Sequence, residues 1–156
     1  DQVEAMTLAD RIVALSRKGL EQFGTPDELF DTPANLFVAG FMGTHRMNLI
    51  KVDRANGALL QMLTGRDHDE LAAAGVGTVG ARPEHLELVP GSAAKVQLVE
   101  RLGAESLVHL NMSGASDAVT VLSTDRSVAY GQDRSLQIAA DRLHFFDSAG
   151  QRLASC

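Results

Sequence analysis

The chain has 156 residues, a formal net charge of −6, 45% hydrophobic and 4% aromatic residues and no Trp. This acidic balance, with Ser16-Arg17-Lys18-Gly19 as the one small basic cluster, excludes the grouped Lys and Arg that bind phosphate backbones. The scarcity of aromatics excludes stacking platforms for bases or sugar rings. The longest apolar run, Leu36 to Met42, falls far short of the ~20 residues of a membrane-spanning helix. A lone Cys, Cys156, provides neither an internal disulfide nor a thiolate metal cluster and reads as a reducing, cytoplasmic setting.

Asp1 and Glu4 open the chain with the spacing of a capping box, and Val3, Met6 and Ala9 follow as a narrow apolar stripe, which predicts a helix. The stretch Ile12 to Leu15, a polar turn ending at Gly19, and the return through Leu20 and Phe23 predict a hairpin. Thr25, Pro26 and Glu28 supply an N-cap, a first-turn Pro and a second capping box for a helix ending near Asp31. In "NLFVAGFMG", Phe37 and Phe41 stand four apart on a further helix, with Gly43 as its terminator. This first part is too short and too apolar to bury its own faces, so it is expected to need a partner surface that this chain does not contain.

From about Asn48 onward, short apolar stretches separated by Gly, Asn and Asp turns predict a small barrel or sandwich. "NLIKVD", "GALLQML", "VGTVGARPEHLELV", "AKVQLVERLG", "ESLVHLNM", "AVTVLST", "SLQIAAD" and "RLHFF" read as strands. Val96 and Leu98 are expected on one face with Lys95 and Gln97 on the other, while "ESLVHLNM" alternates less cleanly. "DHDELAAAG" is the one helical possibility in this half, and it reads equally as a loop.

No catalytic constellation emerges. None of the five His residues shows HxxxH spacing, and no ligand cluster of the zinc type is present. "AAAGVGTVGARP" has the glycines of a phosphate loop but lacks the following Lys and Ser or Thr, and a strand continues from it. In "GARPEHLEL" the plain expectation is a local Arg82–Glu84 ion pair around Pro83, with His85 satisfied by backbone and Leu86 and Leu88 inward. An interface role for Arg82, Glu84 and His85 is the alternative.

Taken in order, "DQVEAMTLADRIVAL", "LEQFGTPDELFDTPANLFVAGFMGTHRMNLI", "GARPEHLEL", "VERLGAESLVHL" and "DRLHFFDSAGQRL" resemble the C-terminal half of the ATP-binding subunit of sugar-type ABC importers, the maltose and glycerol-3-phosphate group. The resemblance implies a mainly β fold. In it an OB-like, molybdate-binding-like (TOBE) barrel spans residues 44–156, and an α/β remnant of an ABC ATPase domain spans 1–43. It implies that Asp1, Gln2 and Glu4 belong to the motif that follows the switch His of the ATPase, with the upstream nucleotide-binding motifs lying outside this chain. It further implies no cofactor in this chain, ATP and Mg in the full subunit, and a cytoplasmic place peripheral to the inner membrane. The partners it implies are a twin copy in a homodimer, permease subunits bound through the ATPase domain, and regulatory proteins, with no nucleic acid. Arg82, Glu84, His85, Glu100 and Arg101 are the expected regulatory or interface residues, and Phe37 and Phe41 an exposed docking face. The competing expectation is a small-ligand module that binds an oxyanion or sugar phosphate, with Arg82 and Arg101 as anion contacts.

Overall fold

A computed structural model describes residues 2–154. The Asp1–Glu4 capping box and Cys156 therefore lie outside the described residues.

Residues 2–42 build a small α/β unit: α1 (Gln2–Leu8), the antiparallel hairpin β1 (Ile12–Ser16) and β2 (Gly19–Gly24), α2 (Pro26–Asp31) and α3 (Leu36–Phe41). Both short helices are fixed at their N-termini by side chains. The Thr25 hydroxyl accepts from Glu28 N–H at 3.2 Å while the Glu28 carboxylate accepts from Thr25 N–H at 2.8 Å, and Asn35 accepts from Val38 N–H at 3.0 Å. Such caps compensate for helices too brief to be stable alone. Ala14, Leu29, Val38 and Met42, with Met6 and Ile12 against them, form a core private to this unit.

The rest of the chain wraps two antiparallel sheets round a second, larger core. One sheet has the order β3 (Asn48–Lys51), β4 (Thr78–Ala81), β9 (Leu143–Phe146). The other has the order β7 (Val119–Ser123), β6 (Ser106–Met112), β5 (Glu87–Arg101), β8 (Asp133–Gln137). Ile50, Val79 and Leu143 from the first sheet meet Val96, Val108, Leu110, Val121 and Leu136 from the second. The fold is mainly β, as expected from the sequence.

"GALLQML" is not a strand. It forms helix α4 (Gly57–Thr64), whose Leu59, Leu60 and Leu63 share one helical face and are all buried in the barrel core. Ala, Leu, Gln and Met are strong helix formers, and a dense apolar run carries no period that distinguishes strand from helix. "DHDELAAAG" does become a helix, α5 (His68–Ala73), capped reciprocally by Asp67 and Glu70, with Leu71 buried. In β6 the alternation is cleaner than the sequence promised: Ser106, Val108, Leu110 and Met112 face inward. In β5 the register slips at Gln97, so that Val96 pairs with Leu110 but Leu98 pairs with His109. The extra residue turns Leu98 outward, to 50% exposure, instead of sharing the buried face of Val96.

Where β3 runs beside β7, the side chain of Asn48 does the work of a strand backbone. Its amide donates to Thr120 O at 2.8 Å and Ala81 O at 3.0 Å, and its carbonyl accepts from Thr120 N–H at 2.8 Å. One buried side chain thus ties the two sheets together. Because each buried polar group left without a partner costs about 1–3 kcal/mol, Asn48→Ala should lower stability by about 2–4 kcal/mol in urea unfolding. Asn111→Ala, at an exposed position of β6, should change it by less than about 0.5 kcal/mol.

Candidate functional site

The two units meet at a seam organised by "ARPEH". β4 ends at Ala81, Arg82 continues in extended conformation (φ −73°, ψ 140°), and Pro83 opens a single 3₁₀ turn, Pro83–His85. This geometry sends the Arg82 side chain out of the barrel and into the unit formed by residues 2–42. Its Nη1 donates to Met42 O at 2.8 Å and its Nη2 to Phe30 O at 2.6 Å. Both acceptors lie at helix C-termini, of α3 and α2, where carbonyls lack partners within the helix. The guanidinium carbon lies 3.7 Å from the Phe30 ring centroid, and the edge of His85 meets the same ring at 6.3 Å.

Arg82 is 0% exposed, and among the described residues it is the only buried side chain with a permanent charge. Burial pulls its pKa down from the usual guanidinium value, while Glu84 and Asp31 oppose that pull through space. The expected ion pair with Glu84 is not the contact that forms: Glu84 is exposed, and Arg82 is spent on carbonyls and a ring. Neither is His85 satisfied by backbone, because its buried Nδ1 has no hydrogen-bond partner. Leu86 is buried and Leu88 half-buried.

A second set of contacts stitches the same seam. Residues 150–153 run between β9 and the start of α3: Leu36 N–H donates to Gly150 O and Arg152 N–H to Ala34 O, both at 2.9 Å, while Leu153 N–H donates to Phe145 O at 2.8 Å. Gly150 has φ +83°, and a Cβ there would stand 3.1 Å from the Leu36 side chain. Beneath this strap Ala39, Met47 and Phe146 form a small apolar cluster with Leu36 and Leu49 at its edge. The first unit therefore uses this chain's own barrel as one of the surfaces it needs. Val13, Leu15, Leu20, Phe23, Phe37 and Phe41 stay exposed on its other sides.

The remaining sequence-picked residues are scattered. Phe37 and Phe41, 40% and 58% exposed, stack in parallel at 5.9 Å and border a groove of about 450 Å³ completed by Gly40, Arg46, Met47 and Leu49. Glu100 and Arg101 lie at the far end of β5 from Arg82. The Glu100 carboxylate is 3.3 Å from His109 Nε2, outside hydrogen-bond geometry. Arg101 donates to Ser106 Oγ at 3.0 Å and Val128 O at 2.6 Å, which fastens a loop. Arg82 and Arg101 thus direct both terminal nitrogens of each guanidinium at protein oxygens, an arrangement that does not favour an anion site. Gln2 lies in α1 and Glu4 is exposed there. Among the described residues, no three His, Cys, Asp or Glu side chains are grouped to hold a metal ion, and no helix is long and apolar enough to cross a membrane. Sequence reasoning missed Asn48 and the strap; "DSAGQRL" signals a turn and nothing about where its backbone docks.

His144, on β9, is 6% exposed, and its Nδ1 lies 3.1 Å from Arg152 Nη1. Burial, followed by the charges of Arg152 and Arg82 and by His85, lowers its pKa from 6.5 to about 4. The unfolded chain therefore binds this proton first. Stability is complete above pH 6.5, falls as pH drops from 6.5 to about 4, and loses nothing more from this group below that. His144→Gln should flatten the pH dependence of the urea midpoint in that window, removing about 1.4 kcal/mol per pH unit.

Comparison with known proteins places this geometry. A family model described as the TOBE domain matches residues 79–146, from β4 to the end of β9. The sn-glycerol-3-phosphate import ATP-binding protein UgpC of Ruegeria pomeroyi is 42% identical over 99% of this chain. The proteins of the same name from Vibrio vulnificus and Rhizobium meliloti are 35% and 36% identical over 98% of it. The chain spans about 45% of the length of these relatives. Residues 79–146 thus match the TOBE domain, and nearly the whole chain is similar to a part of the ATP-binding proteins of sn-glycerol-3-phosphate importers.

Proposed function

We propose that this chain is the regulatory and dimerisation portion of an importer's ATP-binding subunit, with residues 1–43 closing the ATPase domain and 44–156 forming the regulatory domain. The observation that carries the reading is the match to UgpC proteins along 99% of the chain, combined with a TOBE barrel that holds a small α/β unit on its surface. In the whole subunit, ATP and Mg would bind in the portion of the relatives that this chain does not span. Hydrolysis there would drive import of glycerol-3-phosphate or a related carbohydrate through permease subunits at the cytoplasmic face of the membrane. The barrel would pair with its twin, and its outer surface, with Glu84 and Glu100 exposed on it, would be open to regulatory proteins.

The exposed apolar side chains of residues 2–42 support this division of labour. Val13, Leu15, Leu20 and Phe23 on a two-stranded hairpin are a face that a larger ATPase domain would cover, since isolated soluble domains seldom leave such patches bare. A chimera decides the matter: the N-terminal portion of the Ruegeria pomeroyi relative joined to this chain, expressed with that organism's permease in cells lacking the native subunit. Glycerol-3-phosphate uptake should return to within about tenfold of the native level. A folded chimera that hydrolyses ATP but restores no uptake of glycerol-3-phosphate or of any sugar sinks the importer reading. The chain alone should show no ATP binding by calorimetry.

A further inference from the structure

We propose that Arg82 is a latch, the geometric key of a joint at which the unit of residues 2–42 can come off the barrel without either part unfolding. This goes beyond assignment to an importer subunit and does not rest on it. Three observations converge. First, the two parts have separate cores: Ala14, Leu29, Val38 and Met42 pack among themselves, and the barrel core is drawn from residues 50 onward. Only the small cluster of Ala39, Met47 and Phe146 is shared.

Second, the largest fully buried side chain at the junction is a cation with no carboxylate in contact. A buried hydrophobe would cover the same surface without desolvating a charge. Retaining a guanidinium therefore favours one orientation over many, because only a planar fork with two separate N–H directions reaches both carbonyls at once. Third, those carbonyls belong to different helices, Phe30 in α2 and Met42 at the C-cap of α3, so one side chain fixes both against β4. Gly43, with φ +109°, lets the chain turn immediately beside it. A Cβ at that position would stand 3.1 Å from Arg82 Nη1.

Besides the fork itself, the joint is held by the strap of residues 150–153 and by the Phe30 ring. Losing the fork leaves Phe30 O and Met42 O without these donors and the ring without its cation, while the sheets keep every ladder bond and the Asn48 tie. Detachment is then a local event, of the kind that amide exchange resolves from global unfolding.

Hydrogen exchange by mass spectrometry on the 156-residue chain tests this with Arg82→Met, Arg82→Lys and Phe30→Leu. The amides of Leu36 and Arg152, whose acceptors Gly150 O and Ala34 O lie across the joint, report on detachment, while those of Leu29, Thr32, Ala39 and Met42 report on the fold of the first unit and those of Val96 and Gly131 on the barrel. Both Arg82 variants should accelerate exchange at the two seam amides about tenfold or more while leaving the internal amides of the first unit and of the barrel within about twofold. Phe30→Leu, which keeps the carbonyl and removes the ring, should give the same one-sided pattern at smaller amplitude. Equal acceleration in all three groups, acceleration of the first unit's internal amides to the same extent as the seam amides, or failure of all three variants to fold, overturns the latch and makes Arg82 an ordinary member of a cooperative core. Wild-type exchange in Arg82→Lys overturns it too, because a single ammonium carries the charge without the fork. No change in Arg82→Met has the same consequence.

Discussion

A guanidinium buried without a carboxylate is the constraint on which the rest of this arrangement depends. The charge of Arg82 cannot be shed, so the surrounding structure must solvate it, and it does so with two helix-end carbonyls and the face of Phe30 while leaving the buried Nε without a partner. Charge-assisted hydrogen bonds contribute roughly 1.5–3 kcal/mol each and a desolvated cation–π contact about 2 kcal/mol. Against them stands a desolvation penalty of several kcal/mol for an ion taken out of water. The balance is near even, so the residue contributes orientation more than stability. Apolar burial, such as that of Phe146 at 0% exposure, supplies the adhesion at the seam.

Charge also shapes what surrounds the seam. His85, His144, Arg142 and Arg152 all lie close enough to be felt electrostatically by one another or by Arg82, and burial keeps both imidazoles toward their neutral forms. A further proton here would meet an already positive neighbourhood with little water to screen it. The seam thus gathers Arg82, Arg142 and Arg152, with Glu84 and Asp31 near enough to offset part of their charge.

What was legible in the sequence was local. Thr25-Pro26 and Glu28 announce α2 because every partner in that cap lies within three residues, whereas Asp67 and Glu70 make the same cap for α5 in a stretch that reads equally as helix or loop. The small β fold was legible from spaced turns and from order-preserving motifs. What escaped depended on distance or on backbone. Arg82 finds acceptors 40 and 52 residues away, and both are main-chain oxygens that no residue type marks. The nearby Glu84 was the more obvious partner on paper and is left in solvent. "GALLQML" escaped because apolar residues at nearly every position erase the period by which a helix is recognised, and Leu98 escaped because one inserted residue, Gln97, reverses the faces after it.

The strap of residues 150–153 has a consequence for how the molecule is made. Ala34 and Arg152 are joined by a backbone hydrogen bond, yet most of the chain separates them in sequence. Contacts that close so long a loop form late, since the entropy of closure is lost before any contact repays it. During synthesis from the N-terminus, α2, α3 and the hairpin emerge long before the strand and strap that receive them. The face of the first unit that meets the seam therefore stays uncovered while the barrel is translated, and residues 150–153, made after the barrel strands, complete its cover.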